Sequence, residues 1–504
     1  NEKERKENGE EFTPMWLVNE MLDKLPSKVW SDKNCKWLDP AVGIGNFPIE
    51  IYLRLMEGLK KIIIDKSERR RHILENMIYM IDINDKNINI LKKIFCGNKY
   101  NLNIYKGSFF GKNKDGSDNY TIPGSWIKIF RTNKFNFIVG NPPYNEGGTG
   151  RTTGSRQPFW PKFIDNSLNV LSDDGYLLFI HPKGWRKPAR KGTRENIGRF
   201  LEIFLNEGYL YYINISDRII PFFPPVDYYV FLKTRSRNNK KTICESEFNG
   251  IKINCKINVT GFLKKIDTID TNNYFFLPAL LSDTVFKIIL KIISKKTANK
   301  NNNFSIKYDG IVTPNKQKLK TNMKQGPPFA FFYNRDKKLY EKFYDKDTYK
   351  NIICRLKNKS KYLKIPKIIM TFNGSNPEGK LYVQYFKEPI GVTTYTMYQL
   401  LDSNEIKSNI ESIVTFLNSD LIYFFMLLTQ YSPAPRNKND WKLLNMIQIP
   451  ELPKNCKVED IYNYYNLTSQ EIKLLSQVVS YTKTSKKTKK KGRFVNNNEL
   501  TKKI

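Results

Sequence analysis

Up to about residue 235, short apolar runs alternate with amphipathic helical stretches, and this alternation restricts the fold more than any other feature of the chain. Strands separated by helices pair in parallel, so the expected architecture is α/β with a mainly parallel sheet. Strands are expected near residues 36–39, 77–82, 102–105, 135–140, 176–181, 209–214 and 227–233, which makes a seven-stranded sheet. After Lys233 the polar, basic run Thr-Arg-Ser-Arg-Asn-Asn-Lys-Lys reads as a linker and places a domain boundary at residue 238.

Residues 239–482 form a second domain of mixed α+β character, in which aromatic and basic residues interleave. An Asn/Lys-rich loop occupies 295–303, and 367–372 looks like a strand. Two helical runs follow. One covers 406–429 with a break at Asn418-Ser419-Asp420, and the other starts at the capping box Thr468-Ser469-Gln470-Glu471. The longest apolar run, 421–428, is far too short to cross a bilayer and belongs in a buried helix. Residues 483–504 begin as Lys, Thr and Ser almost throughout; they are expected to be disordered, either as an electrostatic arm or as a merely solvated tail.

At 504 residues the chain exceeds what one hydrophobic core usually serves. It carries 84 Lys plus Arg against 49 Asp plus Glu, a formal net charge of +35, and so basic a surface collects polyanions by releasing their counterions. Nucleic acid is the first partner to expect, although heavy Lys, Asn and Ile use also follows from an AT-rich genome. Six scattered cysteines with no Cys-x-x-Cys pair fit an intracellular, reduced protein. Only His72 and His181 are present, neither near a cysteine at ligand spacing, so no metal site is expected.

Trp37-Leu38-Asp39-Pro40-Ala41-Val42-Gly43-Ile44-Gly45 ends a strand in a carboxylate and follows it with two glycines and a helix. Glycines there let backbone approach a ligand and leave helix N–H donors facing it, but the same turn also occurs for structural reasons alone. The next strand, Ile78-Tyr79-Met80-Ile81-Asp82, ends in a second acid, the position from which such folds grip a ribose diol. Capping the following helix is the competing role for Asp82, and Asp85 fits that cap better. The third glycine of a dinucleotide fingerprint is missing, as is any phosphate-binding Gly-Lys-Ser/Thr loop. S-adenosyl-L-methionine, which has an adenosine and a zwitterionic tail but no phosphate, suits the two acids and the Gly-x-Gly turn.

At the end of the fourth strand stands Asn141-Pro142-Pro143-Tyr144. Two prolines lock two φ angles and delete two donors, so the chain leaves the sheet in one rigid extended shape. With Glu11-Phe12-Thr13-Pro14, the glycine turn and Met80-Ile81-Asp82, this ordered set resembles the gamma class of S-adenosylmethionine-dependent amino-methyltransferases that modify the N6 of adenine in DNA. The resemblance covers the first half well and the second half only loosely.

It implies a Rossmann-like methyltransferase fold followed by a target-recognition domain, with double-stranded DNA as partner. No membrane is implied, and monomer and homodimer both fit. It further implies that Asn141 and Pro142 accept the amino hydrogens of a flipped adenine, that Tyr144 stacks on the base, and that Phe223, or Phe222 beside it, covers the other face. Thr13 and Asp39 would hold the methionine end of the cofactor, Gly43 and Gly45 would line it, and Asp82 would take the ribose with Ile83 against the adenine. Ser108 stands where the family usually has an acid for the cofactor's amino group, and Ser108 and Phe109 are the candidate cofactor contacts there. His181 falls at a strand end and reads as packing rather than as a base. The loop bearing Arg436, Lys438 and Trp441 is the candidate DNA contact. Enzymes acting on RNA bases or on a protein glutamine, and a methylase fused to a nuclease, share the motif and stay as alternatives.

Overall fold

The computed structural model describes residues 12–145, 158–187, 189–190, 199–216, 226–236, 239–248, 250–269, 274–296, 303–307, 329–330, 365–372, 381–387, 391–392, 397–400, 409–429 and 442–492. They fall into two compact units. The first comprises Asn1–Trp185, Phe200–Ser246 and Asn254–Leu263; the second comprises Arg186–Arg199, Glu247–Ile253 and Lys264–Ile504.

The first unit is built on β1 (Trp37–Asp39), β2 (Ile78–Asp82), β3 (Asn103–Lys106), the hairpin strands β4 (Phe110–Lys112) and β5 (Asp118–Pro123), β6 (Phe135–Gly140) and β7 (Leu171–Pro182). The short β8 (Ala189–Arg190) pairs with Tyr274–Phe275 inside the second unit. Then come β9 (Gly208–Ser216), β10 (Val226–Lys233), β11 (Thr242–Phe248) and β12 (Ile251–Ile257). The sheet runs β12-β11-β9-β10-β7-β6-β1-β2-β3. β1 is parallel to β2 and β6, β2 to β3, and β6 to β7, whereas β10 is antiparallel to both β7 and β9. All seven expected strands are present.

Every residue of β1 and β2 is buried, as strands covered on both faces require. Four rings knit the centre across strands. Trp30 stacks on Trp37 at 4.8 Å, Trp37 on Phe137 at 3.9 Å, and Phe137 on Tyr176 at 5.4 Å between centroids. Burying each such ring contributes about 2 kcal/mol or more.

The helix Met15–Leu22 buries Leu17, Val18, Met21 and Leu22. Its polar side joins a network with the far strands: Tyr228 Oη donates to Glu20 Oε1 at 2.6 Å, Asn214 Nδ2 donates to Tyr228 Oη at 3.2 Å, and Lys24 Nζ donates to Glu245 Oε1 at 2.8 Å.

Two features depart from expectation. The sheet continues through β11 and β12, past the boundary placed at 238. The sequence Thr-Ile-Cys-Glu-Ser-Glu-Phe of β11 is too polar to announce itself, yet its burial alternates as in a strand with one covered face. The hairpin β4–β5 was likewise hidden, because β5 is half-exposed and polar.

In the second unit, Lys367–Phe372 is a strand as expected, paired antiparallel with Leu381–Phe386 and Met397–Leu400. The helices Ile410–Leu417 and Asp420–Leu428 meet at a 46° bend. Ser419, at the expected break, caps the second by accepting from the Ile422 N–H at 3.4 Å. Residues 421–428 are all buried. No single helix among the described residues is long and apolar enough to cross a membrane.

The capping box forms as predicted: Thr468 N–H donates to Glu471 Oε2 at 2.7 Å and Glu471 N–H to Thr468 Oγ1 at 3.3 Å. The helix it starts runs from Ser469 to Gly492, so the first ten residues of the expected disordered tail are helical. Lysine is a good helix former, and a helix already nucleated propagates cheaply.

Candidate active site

The strand order reverses between β1 and β6, which makes the crevice at their C-terminal tips the natural binding place of an open parallel sheet. The four motifs, far apart in sequence, meet there. Asp39 closes β1 and is only 3% exposed; its Oδ1 accepts the Ala41 N–H at 3.1 Å. Burial pushes its carboxyl up to about 8, against the Ala41 hydrogen bond and with help from the charge of Asp82.

The turn then enters left-handed backbone, with φ of 55° at Gly43 and 94° at Gly45. The Gly43 N–H donates to Asp82 Oδ2 at 2.8 Å, and the Asn84 N–H donates to Asp82 Oδ1 at 2.7 Å. Asp82 thereby ties the glycine turn to the tip of β2. The helix Asp85–Ile94 is capped by Asn84, whose side chain accepts the Lys86 N–H at 3.0 Å. This corrects the expectation of Asp85: two adjacent short polar side chains both suit a cap, and the one with extended backbone takes it.

The Thr-Pro element lies against the same turn. Asn46 Nδ2 donates to the Thr13 carbonyl at 2.8 Å, and a Cβ on Gly43 would come within 3.1 Å of the Phe12 ring. Thr13 is 4% exposed and its Oγ1 has no hydrogen-bond partner among the described residues. A buried hydroxyl in that condition costs about 1–3 kcal/mol unless a ligand or water completes it. Ile83 projects as an apolar side chain 75% exposed, directly after Asp82. An unfinished hydroxyl, a left-handed glycine turn and an apolar platform fit an adenosine with an amino-acid tail.

At the tip of β6, Pro142 is buried while Asn141 and Tyr144 are half-buried. The Tyr144 carbonyl accepts the Phe159 N–H at 2.9 Å, and Asn145 pairs with Pro158, so the strand exit is clasped by the start of the next helix, Trp160–Val170. Ser108 Oγ accepts the Phe110 N–H at 3.0 Å. Phe109 is 2% exposed, its ring stacked on Trp126 and Phe163 and its carbonyl accepting from Trp126 Nε1 and Asn166 Nδ2, so the ring is packing. Phe222, Phe223, Arg436, Lys438 and Trp441 lie outside the described residues.

His181 is fully buried. It stacks on Trp160 at 4.0 Å, with Nδ1 3.1 Å from the Pro182 carbonyl and Nε2 3.1 Å from Tyr229 Oη. Burial drives it down to about 3, so it is neutral at pH 7 and packs as the sequence implied. Asn46 and Gly140 escaped the sequence reading. A glycine directly before Asn-Pro-Pro-Tyr was the available signal for the second.

The strand order and the crevice at its reversal together make a Rossmann-like fold. Residues 76–213 match the family model described as Eco57I restriction-modification methylase. Over 238 residues the chain is 27% identical to an uncharacterized adenine-specific methylase of Mycoplasma pneumoniae, a match spanning 35% of this chain and 56% of that protein. The chain thus covers little more than half of that relative. Among solved structures, the type IIL restriction-modification enzyme MmeI, in complex with DNA, superposes with a TM-score of 0.43 at 11% identity, covering 99% of this chain and 78% of that one. The M protein of the type I restriction enzyme EcoKI gives 0.32 at 15% identity, covering 46% and 48%.

Proposed function

We propose that this chain is a sequence-specific DNA methyltransferase acting on the N6 of adenine. The observation that carries the proposal is the placement of Asn141-Pro142 at the tip of β6, across the strand-order reversal from Asp39 and the glycine turn. The exocyclic amine of adenine is a poor nucleophile because its lone pair is delocalised into the ring. The Asn141 side-chain oxygen and the Pro142 carbonyl each accept one amino hydrogen, which biases the nitrogen toward tetrahedral geometry and frees the lone pair. The two prolines hold these acceptors still. Tyr144 supplies a face for a base extruded from the duplex, and Phe223 its opposite cover.

Thr13 and Asp39 hold the methionine end of S-adenosyl-L-methionine, Gly43 and Gly45 line it, Asp82 takes the ribose, and Ile83 lies against the adenine. When bound, the cofactor supplies an activated methyl group. Ser108, where the family has an acid, leaves the amino group one charged partner short. The second unit grips duplex DNA, with Arg436, Lys438 and Trp441 in its contacting loop, and the protein works inside the cell.

The test is incubation with methyl-labelled cofactor and, separately, duplex DNA, RNA and a protein extract. Label recovered as N6-methyladenine in DNA is expected; label only in RNA or protein rejects the assignment.

A further inference from the structure

Gly140 ends β6 and immediately precedes Asn141. Its φ is +154°, a conformation that side-chain-bearing residues rarely adopt. A Cβ built on it would lie 2.9 Å from Asp39 Oδ1 and 3.5 Å from Asp39 Cγ. The carboxylate that would have to move is confined. Asp39 is almost fully buried, and the same Oδ1 is held by the Ala41 N–H at 3.1 Å. Strand pairing fixes both sides as well, since Trp37 aligns with Phe137 and Leu38 with Ile138.

The other glycines of the site differ in kind. A Cβ on Gly43 or Gly45 would meet the Phe12 ring or the end of the Leu91 side chain. Of these three, only at Gly140 would an added Cβ meet a carboxylate.

We propose that Gly140 is a positioning residue: its missing side chain seats the Asp39 carboxylate directly against the backbone that carries Asn141. The cofactor end of β1 and the base end of β6 are thereby gauged against each other as one block. A displacement of either carboxylate or strand tip shifts the acceptor oxygens relative to the methyl donor, and misplacement by about 1 Å costs on the order of a hundredfold in rate. This assignment rests on the function proposed above.

The experiment uses the full chain with Gly140→Ala, Asp39→Ala and the double variant. The affinity for S-adenosylhomocysteine is read by calorimetry, folding by thermal melting, and turnover on duplex DNA at saturating cofactor. Gly140→Ala is expected to weaken S-adenosylhomocysteine about tenfold and to lower turnover about a hundredfold. Asp39→Ala, besides weakening the cofactor, is expected to lower turnover at saturation about tenfold, because the block has lost one side.

In the double variant the two losses combine to much less than their product, as residues in contact do. Multiplicative losses overturn the proposal, as does a Gly140→Ala enzyme with normal affinity and turnover. Should Gly140→Ala fail to fold, full turnover by Asp39→Ala at saturating cofactor overturns it instead. A wild-type chain that binds no S-adenosylhomocysteine rejects the proposed function itself, and this assignment with it.

Discussion

The tips of β1, β2 and β6 and the paired ends of β7 and β10 belong to one sheet, yet they treat polar groups in opposite ways. At the first, a threonine hydroxyl is buried without a partner among the described residues, the backbone passes through φ of 55°, 94° and 154°, and an isoleucine stands 75% exposed. At the second, His181 uses both ring nitrogens, its face is covered by Trp160, and Trp185 Nε1 donates to Asp227 Oδ2 at 3.0 Å. Incomplete bonding together with strained backbone marks a place shaped for another molecule. Complete bonding marks a place shaped only for itself, even when its central residue is the one histidine that catalysis could have borrowed.

The largest effect that separates the two regions is expected from Asn141→Ala. Its turnover should fall at least about a hundredfold, as when other preorganised acceptors or donors are removed, while cofactor affinity stays near normal. Label transfer and calorimetry measure the two; unchanged turnover would show that Asn141 has been miscast. Gly45→Ala comes next. Its added methyl would lie 2.5 Å from Leu91 Cδ2 on backbone at φ 94°, and a loss of about 2 kcal/mol in urea unfolding is expected, with weaker cofactor binding.

His181→Phe preserves the stack on Trp160 but deprives Tyr229 Oη of its partner. A loss of about 1 kcal/mol with turnover intact is expected, and a large fall in turnover would move His181 into the chemistry. The pH dependence separates the two regions by sign, with the two limbs at opposite ends of the scale. His181 sits near 3 against an ordinary 6.5, so its contribution is whole above pH 6.5 and is lost as pH falls toward 3. Asp39 sits near 8 against 3.8, so its contribution is whole below 3.8 and is lost as pH rises through 8. Urea midpoints measured against pH should therefore lose their acid limb in His181→Phe and their rise-of-pH limb in Asp39→Asn. The same limb vanishing in both variants would contradict the contrast.

The sequence made the central strands plain because strands covered on both faces are written as nearly continuous apolar runs, Ile78–Asp82 and Phe135–Gly140 among them. It concealed β11, whose two glutamates lie in a strand with one open face, and β5, which is mostly polar. The glycine turn was legible because left-handed backbone demands glycine, here two residues apart. Gly140 was legible only as a glycine before Asn-Pro-Pro-Tyr; that its Cβ would meet a carboxylate on a neighbouring strand leaves no trace in the spacing along the chain. The helical start of the basic tail does not show in its composition, because the helix that runs into it is nucleated far upstream at the Thr468 cap.

The hydrogen bond from Tyr228 to Glu20 and the ion pair of Lys24 with Glu245 span 208 and 221 residues of sequence. Both contacts need β10 and β11 in place, so the polar side of the helix behind Thr13 cannot complete its bonding until the far part of the sheet exists, whereas its apolar side packs on elements nearby in the chain.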